Sequence, residues 1–166
     1  KGIASAAGNQ VYVSNGSGSG SWQNTYSWHG FGNYVDLSSG AQNFLFDSFV
    51  QLKVDGLGAL SNSEYLPYEI RGISQLWDTD TNEIVPIARG DSYSLRINLP
   101  VTLKVGNPDE VIVAVDISGD VTPTNFIAGE TFTITKAPPY TVTVSIPIFC
   151  LDEFMANNGR IFVQPN

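Results

Sequence analysis

SYSLRINLPVTL, residues 92–103, decides the fold class. Apolar side chains fall at every second position: Tyr93, Leu95, Ile97, Leu99, Val101 and Leu103. Ser94, Arg96, Asn98 and Thr102 alternate with them. Successive side chains of a strand point to opposite faces, so this period of two is the mark of a strand with one face buried. A helical stripe also needs apolar residues three positions on, and from Tyr93, Leu95 and Leu99 those positions hold Arg96, Asn98 and Thr102.

The same alternation recurs on both sides. Val111, Val113, Val115 and Ile117 form one set, and Phe132 with Ile134 a second. Val142, Val144, Ile146 and Ile148 form a third, with Thr141, Thr143 and Ser145 between them. Residues 161–163 (Ile-Phe-Val) read as a last strand, and residues 44–54 as a strand of patchy alternation. Leu76-Trp77 and Ile84-Val85 flank the turn-forming run Asp78-Thr79-Asp80-Thr81-Asn82-Glu83. Only residues 151–158 read as a helix, of about two turns, with Gly159 placed as its stop. Short strands with turn signals at regular spacing predict an all-β antiparallel sandwich or barrel, and the lack of strand–helix alternation disfavours a parallel nucleotide-binding sheet.

Composition narrows the function classes. The chain has 166 residues, enough for one domain with a core that needs no covalent staple. Cys150 is the single cysteine, so no internal disulfide forms. Sixteen acidic residues against eight Lys and Arg give a net charge of −8, which disfavours a nucleic-acid partner and an anionic membrane surface. No apolar run approaches the ~20 residues that span a bilayer, so no membrane insertion is expected. The opening residues 1–7 lack the apolar stretch of a signal peptide. Charged residues make up 14% of the chain, against about 25% in ordinary domains, and Ser, Thr, Asn and Gly take their place. Such a surface suits sheets that pack against other proteins.

The chain divides near residue 25. Residues 1–24 are low in complexity, with the apolar strip Val11-Tyr12-Val13 followed by a Gly/Ser run to Ser21 that reads as a flexible linker or loop. Residues 25–166 carry nearly all the alternating strands. An aromatic cluster, Trp22, Tyr26, Trp28, Phe31 and Tyr34, lies across the boundary. Its rings could cap the sandwich, anchor a protein interface or stack on sugar rings.

Candidate chemistry is sparse. His29 is the only histidine, in a Gly-rich segment, and no G-x-S-x-G elbow accompanies it. A zinc site would have to be completed by carboxylates or another chain. The run Asp78–Asn82 imitates the start of an EF-hand loop, but Glu83 and Arg89 stand where that loop needs Gly and Glu. Paired carboxylates of a glycan hydrolase have no motif here. Arg89-Gly90-Asp91 matches an integrin-binding tripeptide, yet Gly-Asp before a long strand has its own reason as a turn. We therefore expect no catalytic residues, no metal and no cofactor.

Residues 10–22 (QVYVSNGSGSGSW), the aromatic segment after them, and residues 72–82 (GISQLWDTDTN) leading to 90–96 (GDSYSLR) resemble small tailed-bacteriophage virion proteins of the head-decoration, head-fibre or tail-fibre type. The resemblance implies a jelly-roll knob similar to the tumour-necrosis-factor fold, usually a homotrimer, behind a short N-terminal attachment arm. It supplies no catalytic residues. The expectation is a trimeric protein at the virion surface. Val11, Tyr12 and Val13 would attach it to the capsid or another virion protein. Trp22, Tyr26, Trp28, Phe31 and Tyr34 would serve an interface or contact a host surface glycan. The alternatives are a receptor- or carbohydrate-binding fibre tip and a glycan hydrolase.

Overall fold

The computed structural model describes residues 10–14, 17–24, 32–35, 40–53, 60–62, 76–102, 110–134 and 140–166. They form twelve strands and one short helix, and every strand pair is antiparallel. The strands are β1 (Gln10–Ser14), β2 (Gly20–Asn24), β3 (Asn33–Val35), β4 (Val50–Gln51), β5 (Leu60–Asn62), β6 (Trp77–Asp78) and β7 (Glu83–Ile84), followed by β8 (Ser92–Val101), β9 (Glu110–Asp116), β10 (Phe126–Thr133), β11 (Tyr140–Phe149) and β12 (Gly159–Pro165). The helix α1 (Asp152–Asn157) lies between β11 and β12.

Two sheets make the sandwich. One has the order β10-β9-β12-β7-β6, with β4 pairing further along the same edge of β12 as β7. The other is the long pair β8–β11, in register from Ser92↔Phe149 to Val101↔Tyr140. The expected alternation becomes burial. Val142, Val144, Ile146 and Ile148 of β11 meet Val111, Val113 and Val115 of β9, Ile161 and Val163 of β12, and Ile97 of β8 in one core. Trp77, Ile84 and Phe154 close it. The all-β sandwich expected from the sequence is therefore the fold.

The structure revises several local expectations. Of the run 44–54, Val54 lies outside the described residues and residues 44–53 give only the two-residue β4. Asp47 takes a left-handed backbone (φ 53°) and donates its N–H to the Pro165 carbonyl at 3.0 Å, which breaks the extended run. The strand that starts at Ser92 ends at Val101, and Leu103 lies outside the described residues, as do Leu66, Pro67 and Gly72. The helix ends at Asn157, and Asn158 makes the left-handed turn (φ 60°). Gly159 is thus not the stop. A Cβ there would lie 2.7 Å from Cε2 of the buried Phe154, so the residue is glycine because the ring needs its space. The Gly/Ser run enters a strand pair: β1 pairs with β2 from Gln10↔Asn24 to Ser14↔Gly20, so Gly20 and Ser21 belong to β2.

Two prolines mark the β8–β11 pair. Cys150, just beyond β11, donates its N–H to the Asp91 carbonyl at 2.9 Å, so Asp91↔Cys150 is a hydrogen-bonded pair. Pairs alternate along an antiparallel ladder, which makes Ser94↔Pro147 and Pro100↔Thr141 non-bonded pairs. Both prolines therefore turn their missing N–H to the outer edges, where no ladder bond is lost.

Candidate interaction surface

The ionisable groups of the sandwich hold its loops. Asp116, at the end of β9, is 1% exposed. One carboxylate oxygen accepts from the backbone N–H groups of Thr124 (2.9 Å) and Asn125 (2.6 Å). The other accepts from the N–H (3.0 Å) and hydroxyl (2.6 Å) of Ser118. A carboxylate with this many donors offsets its own desolvation and fixes the loop at 117–125. Arg160 of β12 secures the same loop from the other side. Its Nη1 donates to the carbonyls of Gly119 (2.8 Å) and Asp120 (2.7 Å). Its Nε donates to Oε1 of the buried Glu83 at 2.8 Å, and Asn158 donates to the other Glu83 oxygen at 2.9 Å.

The two motif-like runs resolve into turns. Asp78 Oδ1 accepts from the N–H groups of Asp80 (2.8 Å) and Thr81 (3.2 Å), closing the β6–β7 hairpin. Its carboxylate thereby does the work that turn chemistry assigns to Asp. In Arg89-Gly90-Asp91, Gly90 has φ 93° and donates its N–H to the Cys150 carbonyl at 2.7 Å. Asp91 accepts from the N–H of Ala88 (3.0 Å) and from the Tyr93 hydroxyl (3.1 Å), and Arg89 pairs with Asp152 in the first turn of α1. The tripeptide is a structural corner whose acid is engaged within the chain.

Tyr93 also accepts from the Ile87 N–H at 3.1 Å, and its ring packs against the core. Burial pushes the Cys150 thiol up from 9.0 to about 11, with the Tyr93 hydrogen bond opposing the shift and Asp91 adding to it. Burial raises Tyr93 above its ordinary 10.0 as well. Both groups are therefore held neutral in the fold while the unfolded chain ionises first. The Cys150 contribution is complete below pH 9.0 and is lost as pH rises from there through about 11, and the Tyr93 contribution begins to be lost only above pH 10.0. The urea midpoint should be flat from pH 7 to 8.5 and fall between pH 9 and 11, with Cys150→Ala shrinking the early part of the fall. A midpoint constant to pH 11 would contradict the buried placement of these two groups.

The residues proposed from sequence for attachment and contact are distributed as follows. Val11, Tyr12 and Val13 lie on β1, and the register sets Tyr12 opposite Trp22 on β2. Tyr34 lies on β3, half-buried and packed against the core, with its hydroxyl buried and without a partner among the described residues. Tyr26, Trp28 and Phe31, with His29, lie outside the described residues.

What the sequence reading did not single out is the outer face of β8–β11. Alternate residues of both strands, from Ser92 to Pro100 and from Thr141 to Phe149, are exposed. Thr143 donates across the strands to Asn98 Oδ1 at 3.0 Å. Arg96, opposite Ser145, is the single charge on this face. At one end Phe149 is 66% exposed, and Leu151 just beyond it 57%. The signal was present in the polar half of the alternation, which is uncharged almost throughout. Among the described residues no three His, Cys, Asp or Glu side chains converge on a metal position, and no helix is long and apolar enough to cross a membrane. No protein-family model, curated protein or solved structure matches the chain.

Proposed function

We propose that this chain is a non-enzymatic structural protein of a tailed-bacteriophage virion. In this reading it is a homotrimeric jelly-roll of the decoration or fibre type, carried at the virion surface and attached through its N-terminal segment to the capsid or a neighbouring virion protein. The observation that supports binding over catalysis is the use made of the ionisable side chains. Asp116, Glu83, Asp91 and Asp78 each accept hydrogen bonds that hold the fold. The phage assignment draws on the resemblance of residues 10–22 and 72–96.

The hairpin β1–β2 is where attachment would reside. A two-stranded hairpin is marginal alone, and a partner sheet can complete it through main-chain hydrogen bonds. Among the described residues, the main core draws its buried residues from Trp77 onward. A chain beginning at Asn24 should therefore stay folded and keep its oligomeric mass while losing co-sedimentation with bare particles. Tyr12→Pro, which removes one backbone donor, should weaken attachment and leave the thermal midpoint of the knob unchanged. Full binding by the truncated chain would remove the hairpin from the attachment role. Absence of the protein from purified particles, probed by antibody labelling in electron micrographs, would overturn the virion reading itself.

A further inference from the structure

The outer face of β8–β11 has the charge pattern of a contact between copies. The chain carries −8, so copies repel one another over most approaches. Among the described residues, exposed acids are spread over the loops, the helix and the start of β9, at Asp47, Asp80, Glu110, Asp120, Asp152 and Glu153. None lies on the β8–β11 face, whose one charge is the cation Arg96 near its centre. The strip is ten residues long, about 34 Å at the strand rise, and about 10 Å wide. A stable contact covers about 800 Å² on each partner. The strip, which ends on the exposed Phe149, supplies somewhat under half of that, and Leu151 extends it with apolar surface at that end.

We propose that this face is the surface by which one copy of the chain packs on the next, with Arg96 pairing to a carboxylate of the neighbour. The inference rests on the assembly reading above and names its surface. Two of these faces packed on each other would bring two Arg96 side chains together without a counter-charge. Packing on a different, acid-bearing surface of the neighbour supplies that counter-charge, and such head-to-tail contacts close into rings when the rotation allows. The contact is made by the face and not by the strand edges. Pro147 and Pro100 interrupt the outward-facing donors on the edges of β11 and β8.

The test is sedimentation velocity on the full chain over a micromolar concentration range, with circular dichroism as the check on folding. Wild type should sediment as a trimer. Arg96→Glu combined with Thr143→Glu should stay folded, because both positions are exposed, and should weaken assembly by about 100-fold. Thr131→Glu, on the exposed side of β10, should leave the trimer intact. If the double variant is unfolded, Ser94→Glu, at another exposed position of the face, takes its place with the same expected outcome. A monomeric wild type would overturn the assembly reading and this surface together. A trimeric wild type whose folded face variants remain trimeric would overturn the surface alone.

Discussion

Val144→Asp should yield no folded protein. Val144 is fully buried in the middle of β11, among the valines and isoleucines of both sheets. An aspartate there has no partner, and burying an unpaired charge costs several kcal/mol even when the group protonates to escape it. Domains of this size have only about 5–15 kcal/mol in hand. The neighbouring change Ser145→Asp gives the internal control. Ser145 is exposed and stands opposite Arg96, so at concentrations below assembly its replacement should alter stability by at most about 0.5 kcal/mol. A strand slipped by one residue would exchange the two results, because every side chain would change face. Far-UV circular dichroism and urea unfolding of the pair therefore test the register as well as the core. Wild-type stability for Val144→Asp would refute both.

Asp116→Ala should be the most damaging change to a polar residue. Its carboxylate accepts four hydrogen bonds, three of them from backbone N–H groups of the loop at 117–125. Bonds to a charged acceptor contribute more than neutral ones, and donors left buried without a partner are costly. Water can reach part of this loop, since Gly119 and Asp120 are exposed, which limits the loss to about 2–4 kcal/mol. Asp116→Asn keeps one acceptor oxygen and should recover part of it. Urea unfolding gives the magnitude, and hydrogen exchange gives the location: the amides of Thr124 and Asn125 should lose protection first. Unchanged protection at those two amides would show that the carboxylate does not hold the loop.

The contrast between these two residues explains what was legible in the sequence. Val144 belongs to a ten-residue strand whose apolar side chains recur at every second position, and the period alone assigns its face. The same holds for β8 and β9. Strands of two or three residues, such as β4, β6 and β7, are too short to display a period. β6 pairs only with β7 across its turn, and the pairing of β4 and β7 with β12 is decided by residues more than 70 positions away, as in Glu83 with Arg160. Asp116 could have been suspected, because an acid at a strand end followed by Ser118 and Gly119 is a turn signature. Nothing local distinguishes it from Asp78, whose turn is partly exposed. The Gly/Ser run reads as a linker because composition reports permissiveness and not pairing. The strands that it joins, β1 and β2, pair through their backbones, which composition does not register. The outer face of β8–β11 was legible only in part. The polar alternation gives its exposure, but its continuity across two strands needs the register.

The position of β12 has a consequence for how the protein is made. This strand lies inside the larger sheet, with β9 on one side and β4 and β7 on the other, although it follows all of them in sequence. While a ribosome is still translating residues 152–165, β9 lacks one of its two neighbours and β4 has no described strand to pair with. The growing chain must therefore keep long apolar strands in a non-native state until synthesis has passed β12. Sheets completed by such distant segments close slowly, on the scale of milliseconds to seconds. Nascent chains of this protein should thus depend on holding chaperones throughout elongation, and loss of the segment after α1 should leave an aggregating product and not a smaller folded one.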